Sequence, residues 1–391
     1  MFMVYLDHAA TSNPKPQCVI EAMSHYASEG SANPGRGSHP LANRAARLLF
    51  ETRERLKTFL GAEAAGEVVF TANVTEALNL ALFGLLKPGD EVLVSSLEHN
   101  AMMRPLRLLE QQGVRITKIA SDPKSGVIDL KLLAQSLSTN TKLVAINHAS
   151  NAFGTLQPLD AIGELCRQHE CLLLADCAQT AGHLPIDMAS AKIDLLAFTG
   201  HKGLLGPMGT GGLIINTRAQ KNGIKPLILG GTGSLSESEN QPEFLPDALE
   251  SGTPNLPGIA GLNAGVKWLQ QQGINRLHQQ ELALCQRLMV GLSQLPNVRL
   301  IGPAMNAPRT AVVSFVIKGM DNGEVDDLLG NQHQIYCRTG LHCAPAAHRA
   351  LGTFPEGSIR FSLGATTTAE DVDCAIAAVK AICTATVAAD E

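Results

Sequence analysis

The chain has 391 residues, 45% of them hydrophobic and 17% charged, a balance that excludes a disordered or collagen-like polymer and allows roughly two or three folded domains. Thirty-one basic against 36 acidic residues leave a net charge of −5, so nothing in the overall charge draws the protein to nucleic acid or an anionic membrane. Nine cysteines, an odd number without paired CxxC spacing, fit neither a zinc site nor a disulfide-stapled secreted module, and no metal site is expected.

The N-terminal run Met1-Phe2-Met3-Val4-Tyr5-Leu6-Asp7 lacks the basic start and full apolar stretch of a secretory signal. The longest apolar runs, such as Cys171 to Ala175 and Ala311 to Ile317, fall far short of the roughly 20 residues of a membrane span. A cytoplasmic protein is expected.

From Glu67 to Asn216 short β-branched runs alternate with helical stretches, the rhythm of βαβ units around a mainly parallel sheet, which makes the fold class α/β. The pattern predicts strands at Val68 to Thr71, Glu91 to Ser95, Arg115 to Ile119, Leu143 to Asn147, Leu172 to Asp176, Leu195 to Thr199 and Gly212 to Ile215. Helices are predicted over Thr75 to Leu86 and Leu159 to His169. The polar stretch Gly230 to Asn240 reads as a surface loop. Beyond it come a long helix from near Ile259, a strand at Ala311 to Ile317, a helix at Gly323 to Leu329, strands near Ile335 and Ile359, and a last helix from Ala369 to Ile382. That set forms a second, smaller α+β domain.

Lys202 leaves a strand into a glycine-rich turn, Phe198-Thr199-Gly200-His201-Lys202-Gly203. A lysine hemmed by glycines can approach a planar cofactor closely, although a lysine in a loop is more often simply solvated. Upstream, the apolar strand Leu172 to Ala175 ends in Asp176, with Gln179 on the following turn. A carboxylate at the end of a buried parallel strand sits where α/β proteins bind ligands, and it needs a positive partner such as a protonated pyridine nitrogen. Lysine plus aspartate is the minimum set for pyridoxal phosphate. The turn Thr71 to Ala77 precedes a helix whose N-terminus can accept a phosphate; Asn73 or Thr75 serving as a plain helix cap is the competing reading.

These residues fall in an ordered set of motifs: Tyr5-Leu6-Asp7-His8-Ala9-Ala10-Thr11, Thr75-Glu76-Ala77-Leu78-Asn79, Glu98-His99-Asn100, His148 to Thr155, Asp176-Cys177-Ala178-Gln179, Gly200-His201-Lys202 and Gly252-Thr253-Pro254-Asn255. The set resembles the class V aminotransferases and, within them, the group II cysteine desulfurases. The resemblance implies pyridoxal phosphate as cofactor and the type I fold of pyridoxal phosphate-dependent transferases. It also implies a large domain, residues 15–256, with a seven-stranded sheet, and a small domain, 257–391 together with 1–14, that carries the catalytic cysteine loop. By the same resemblance Lys202 forms the internal Schiff base and moves substrate protons, Asp176 holds the ring nitrogen protonated, Gln179 bonds the ring hydroxyl and Asn151 lies beside it. His99 stacks on the ring and assists catalysis. Thr75, Thr199 and His201 bind the phosphate, Glu76 joins the cofactor set, and Thr253 reaches the phosphate of a neighbouring subunit, which implies a homodimer. Ala10, Asn151, Arg338 and Arg360 are implied to bind the substrate.

The segment Tyr336-Cys337-Arg338-Thr339-Gly340-Leu341-His342-Cys343-Ala344-Pro345 turns at Gly340 and presents Cys343 on a loop. In group II enzymes the matching cysteine takes the sulfur as a persulfide. A thiolate beside cations is favoured, and Arg338 and His342 lie close in sequence. Cys166, Cys171, Cys285, Cys374 and Cys383 fall in apolar or helical patterns and are expected to be buried. Arg360 interrupts an apolar strand and offers the two-pronged fork that suits a carboxylate. The implied reaction turns L-cysteine into L-alanine and passes sulfur from Cys343 to an acceptor protein or small thiol, the family's route into iron–sulfur cluster assembly. Selenocysteine lyase, C–S lyase, epimerase or transaminase activity on another amino acid is the alternative. Three positions depart from the group II pattern: Leu341 stands where histidine is common, His8 replaces a small or amide residue, and Gly364 to Thr368 lacks the usual aromatic and asparagine.

Overall fold

The computed structural model describes residues 3–29, 31–35 and 37–389. Residues 1–2 and 390–391, the outer ends of the expected small domain, lie outside the described residues.

A short strand β1 (Val4–Tyr5) is followed by seven that build one sheet: β2 (Glu67–Thr71), β3 (Glu91–Ser95), β4 (Arg115–Ile119), β5 (Thr141–Asn147), β6 (Leu172–Asp176), β7 (Leu195–Thr199) and β8 (Gly211–Ile215). Their order is β2-β8-β7-β6-β5-β3-β4, parallel from β7 to β4 and antiparallel where β8 meets β2 and β7. All seven strands stand within two residues of their predicted positions. The central strands are buried along their whole length because both faces are covered. Leu173 and Ala175 enter one core with Ile146 and Leu196, while Leu172 and Leu174 enter the other with Leu195 and Ala197. Truncating one such leucine to alanine costs about 2–5 kcal/mol, so the sheet is a stiff base for its own C-terminal edge. Parallel direction brings Ser95, Asn147, Asp176 and Thr199 to that edge, with Asn147 in register with Asp176.

The second sheet takes β9 (Val298–Ile301), β10 (Val312–Ile317), β12 (Arg338–Gly340) and β13 (Ser358–Ser362) in the antiparallel order β12-β13-β10-β9, while β11 (Ile335–Tyr336) pairs in parallel with β1. Val4 and Leu6 enter the core of this unit with Phe315, Ile359, Phe361 and Val379. The N-terminal strand is thereby built into the C-terminal part of the chain. The helix Ile274–Ser293 links the cores, with Leu277 in the first and Cys285, Leu288 and Leu292 in the other.

The polar stretch from Gly230 to Asn240 is a largely exposed loop, as expected. The helix Asn100–Gln111, with Pro105 inside it, fills the gap between β3 and β4. Of the five cysteines expected to be buried, Cys166, Cys171, Cys285 and Cys383 are, but Cys374 is exposed. Val372, Ala375 and Val379 take the inward face of its helix, and the helical repeat turns position 374 outward.

Candidate active site

Lys202 follows β7 in a turn that presses against the segment after β6. A Cβ at Gly203 would stand 2.5 Å from the carbonyl oxygen of Ala181, so this approach needs glycine. Burial pushes the Lys202 ammonium down to about 8, with Arg360 and Arg338 adding to the effect while Asp176 and Asp7 oppose it. Asp176 is buried at the end of β6, where its Oδ1 accepts from the Ala178 amide at 3.0 Å. Burial raises its pKa, and the Ala178 amide and Lys202 pull it back. The structure thus brings together the lysine and aspartate singled out in sequence.

Around them stand buried polar atoms without partners, among them Thr199 Oγ1, His201 Nδ1 and Asn151 Oδ1. The His201 carbonyl, by contrast, is crowded: it accepts from the Ser12 amide and Thr11 Oγ1 at 3.0 Å each and from Lys15 Nζ at 2.6 Å. Thr75 lies exposed in the first turn of the helix Val74–Leu85, whose cap is Asn73, the Oδ1 of which accepts from the Glu76 amide at 3.0 Å. Glu76 itself accepts from the Ala72 amide at 2.7 Å and so serves the same turn. Thr253 is not joined to Lys202 or Asp176 by any described contact. It accepts from Asn33 Nδ2 at 3.4 Å and lines, with Glu76, a cavity of about 500 Å³ that includes neither of them.

His99 caps the helix Asn100–Gln111, its Nδ1 accepting from the Ala101 amide at 3.0 Å, so the neutral ring carries its proton on Nε2. Burial, reinforced by Lys202 and Arg338, lowers its pKa to about 4. Gln179 is buried and donates from Nε2 to the Ala9 carbonyl at 2.9 Å, beside Ala10 in the same N-terminal turn. Asn151 donates from Nδ2 to the His342 carbonyl at 2.6 Å, and the Asn100 amide donates to the Cys343 carbonyl at 2.8 Å. Cys343 is exposed.

Arg360 is 1% exposed. One prong of its fork donates to Asp7 Oδ1 and the other to the Asn151 carbonyl at 3.1 Å, leaving Nε without a partner. Arg338 stands opposite it in the β12–β13 register and is exposed. Asp7 is a site residue to which sequence assigned no role, although it lies in the first motif.

The expectation that His342 supplies positive charge to Cys343 is corrected by the structure. Its ring is buried between Arg338 O, at 3.3 Å from Nε2, and His348 Nε2, at 3.2 Å from Nδ1, and burial lowers its pKa to about 2. Two departures from the family pattern meet each other: His8 Nε2 lies 3.5 Å from Thr367 Oγ1, and its ring packs where a Cβ on Gly364 would stand. Sequence also missed His183, whose Nδ1 lies 3.0 Å from Glu281 Oε2 across the two units. Its position four residues past Gln179 was the available signal; Glu281 gave none.

The family model described as aminotransferase class-V matches residues 4–374. The chain belongs to the class V aminotransferase family. It is 36% identical to a probable cysteine desulfurase of Methanothermobacter thermautotrophicus over 373 residues, 94% of this chain and 92% of that one. The fold is similar to the apo cysteine desulfurase of Thermococcus onnurineus, with a TM-score of 0.91, 32% identity and coverage of 98% and 95% of the two chains. It is also similar to the cysteine desulfurase CsdA (S-sulfonic acid) of Escherichia coli, with a TM-score of 0.86, 29% identity and coverage of 96% and 94%. Class V aminotransferases are pyridoxal phosphate enzymes. Among the described residues no helix is long and apolar enough to cross a membrane, and no group of three or more His, Cys, Asp or Glu side chains could hold a metal ion.

Proposed function

We propose that this class V aminotransferase is a pyridoxal phosphate-dependent cysteine desulfurase, converting L-cysteine to L-alanine and leaving the sulfur as a persulfide on Cys343. The observation that carries this reading is the exposed Cys343 loop, tied by its carbonyl to the helix that His99 caps, where the charge of Lys202 acts on both His99 and Asp176.

The residues present fit the cofactor. Thr199 Oγ1 and His201 Nδ1 are buried and unpartnered, a state that a phosphate would relieve, with Thr75 completing the set. Buried Asp176 meets the requirement of a pyridine nitrogen for an anionic partner, Gln179 would bond the ring hydroxyl, and Asn151 would lie beside it. When bound, the cofactor supplies an electron sink for negative charge at the substrate α-carbon.

Lys202 would hold the cofactor covalently and, once the substrate amine displaces it, would take the α-proton at the freed Nζ and return it; a pKa near 8 suits both roles better than that of a solvated lysine. Neutral His99, held by its bond to the Ala101 amide, would stack on the bound ring. Arg360, with Arg338, Asn151 and the turn at Ala10, orients the substrate carboxylate. The Cys343 thiolate attacks the sulfur of L-cysteine, an S–S bond forms, the C–S bond breaks, and its electron pair stays with the carbon skeleton, which gains a proton and leaves as L-alanine. Cysteine plus enzyme thiol thus give alanine plus enzyme persulfide, with no outside oxidant. An acceptor protein or small thiol then removes the sulfur.

We further propose a homodimer in which Thr253 reaches the partner's phosphate site; exposed Leu227, Ile228, Leu229 and Phe244 support such a contact. A division into residues 15–256 and 257–391 with 1–14 is supported by the shared core of Val4, Leu6 and the C-terminal strands, although helix Leu256–Gln272 packs on the large unit. Nine free cysteines support a cytoplasmic setting.

The test is L-cysteine plus dithiothreitol with the purified yellow protein. Wild type is expected to release alanine and sulfide in equal amounts, and Cys343→Ala to lose both by at least about a hundredfold while keeping its cofactor band. A variant as active as wild type, or a wild type that leaves cysteine untouched, overturns the reading.

A further inference from the structure

His342 and Cys343 both take positive φ, 49° and 56°, a backbone state that residues with side chains hold only when their surroundings enforce it. We propose that His348 and Thr353 are positioning residues for Cys343, acting through a one-way chain of hydrogen bonds that ends on the carbonyl of Arg338.

The direction of the chain follows from what each atom can do. Arg338 O only accepts, so His342 Nε2 donates to it at 3.3 Å and His342 Nδ1 is left as an acceptor. His348 Nε2 therefore donates to that nitrogen at 3.2 Å, and His348 Nδ1 accepts from the Thr353 hydroxyl at 2.7 Å. The two rings stack at 5.4 Å with 22° between their planes, and Phe153 packs 4.9 Å from the second. Burial keeps both imidazoles neutral, and Arg360 and Arg338 face His342 and oppose its protonation. Were Thr353 to lose its hydroxyl, His348 Nδ1 would be left buried without a donor, and the second ring would lose the bond that holds it in place against the first. The Arg338 carbonyl thus sets the direction of the chain, and the Thr353 hydroxyl anchors its far end.

A second contact supports the same role for this turn. A Cβ on Gly357 would run into Gly340 O, so the turn from Thr353 to Gly357 presses directly on the base of the cysteine loop. It holds the base by backbone contact and the tip through two rings.

The part of Cys343 in turnover comes from the desulfurase reading, whereas its positioning is read from contacts alone, and the two are measured separately. Thr353→Val keeps the shape and removes the donor; Thr353→Ser keeps the donor. In the holoenzyme, amide hydrogen exchange over residues 338–344 is expected to quicken about five- to tenfold in Thr353→Val and to stay at the wild-type rate in Thr353→Ser. The kcat for alanine should fall by a similar factor in Thr353→Val with KM for L-cysteine unchanged. If Thr353→Val does not fold, His348→Phe, which keeps a flat ring beside Phe153, takes its place with the same expectations. Wild-type exchange in the Val or Phe variant, or a Ser variant that behaves like Val, overturns the proposal. A wild type inert toward cysteine sinks the desulfurase reading and leaves the exchange result to decide the positioning.

Discussion

The amide of Asn100 donates to the carbonyl of Cys343 at 2.8 Å, so the tip of the cysteine loop is pinned to the first turn of the helix that His99 caps. The loop belongs to the C-terminal unit and the helix to the N-terminal one. One backbone hydrogen bond therefore joins the thiol to the edge of the sheet on which Lys202 and Asp176 stand, and Asn151 adds a second through the carbonyl of His342.

Lys202 should titrate far below an ordinary lysine. Burial disfavours its charged form, so the free amine becomes available as pH rises through about 8 rather than about 10.4. The rate at which the cofactor-free protein regains the absorbance of lysine-bound pyridoxal phosphate is expected to climb with a midpoint near 8. A midpoint near 10 would mean that Lys202 is solvated in that state.

Arg360 and Asp7 form a pair whose arginine side is almost fully buried. Arg360→Met removes the fork and leaves Asp7 with an unpaired charge, at an expected cost of about 3 kcal/mol in urea unfolding. Adding Asp7→Asn should recover part of that loss, since the stranded charge goes with it. Arg360→Lys keeps a charge without the fork and should raise KM for L-cysteine about tenfold or more. Equal stability of the single and double variants would show that the stranded Asp7 charge costs nothing, and an Arg360→Met variant as stable as wild type that the pair contributes nothing.

His183 and Glu281 make the stability depend on pH in a definite direction. Burial opposes the charge on His183, but the Glu281 carboxylate and its hydrogen bond outweigh it and raise the pKa above the usual value of about 6.5. A raised histidine contributes stability that is full below the unfolded pKa and fades as pH rises through the folded one. Glu281→Gln should accordingly cost about 1.5–3 kcal/mol near pH 5, with the gap to wild type narrowing above neutrality. Denaturation midpoints at a series of pH values measure this, and a gap that widens with pH would reverse the assignment.

What the sequence determined by itself is local. Strands buried on both faces appear as continuous apolar runs, which made all seven strands of the large sheet legible and set Asp176 and Lys202 at their ends. Glycine at 340 announced the turn before Cys343, where φ is indeed positive. Partnership was decided only by the tertiary structure. Asp7 and Arg360 lie 353 positions apart, and periodicity reports which way a side chain faces but not what it will meet. His342 shows the difference most clearly. Its nearness to Cys343 in sequence pointed to a cation beside the thiol, but the fold buries the ring between a carbonyl and a second histidine, where burial keeps it neutral.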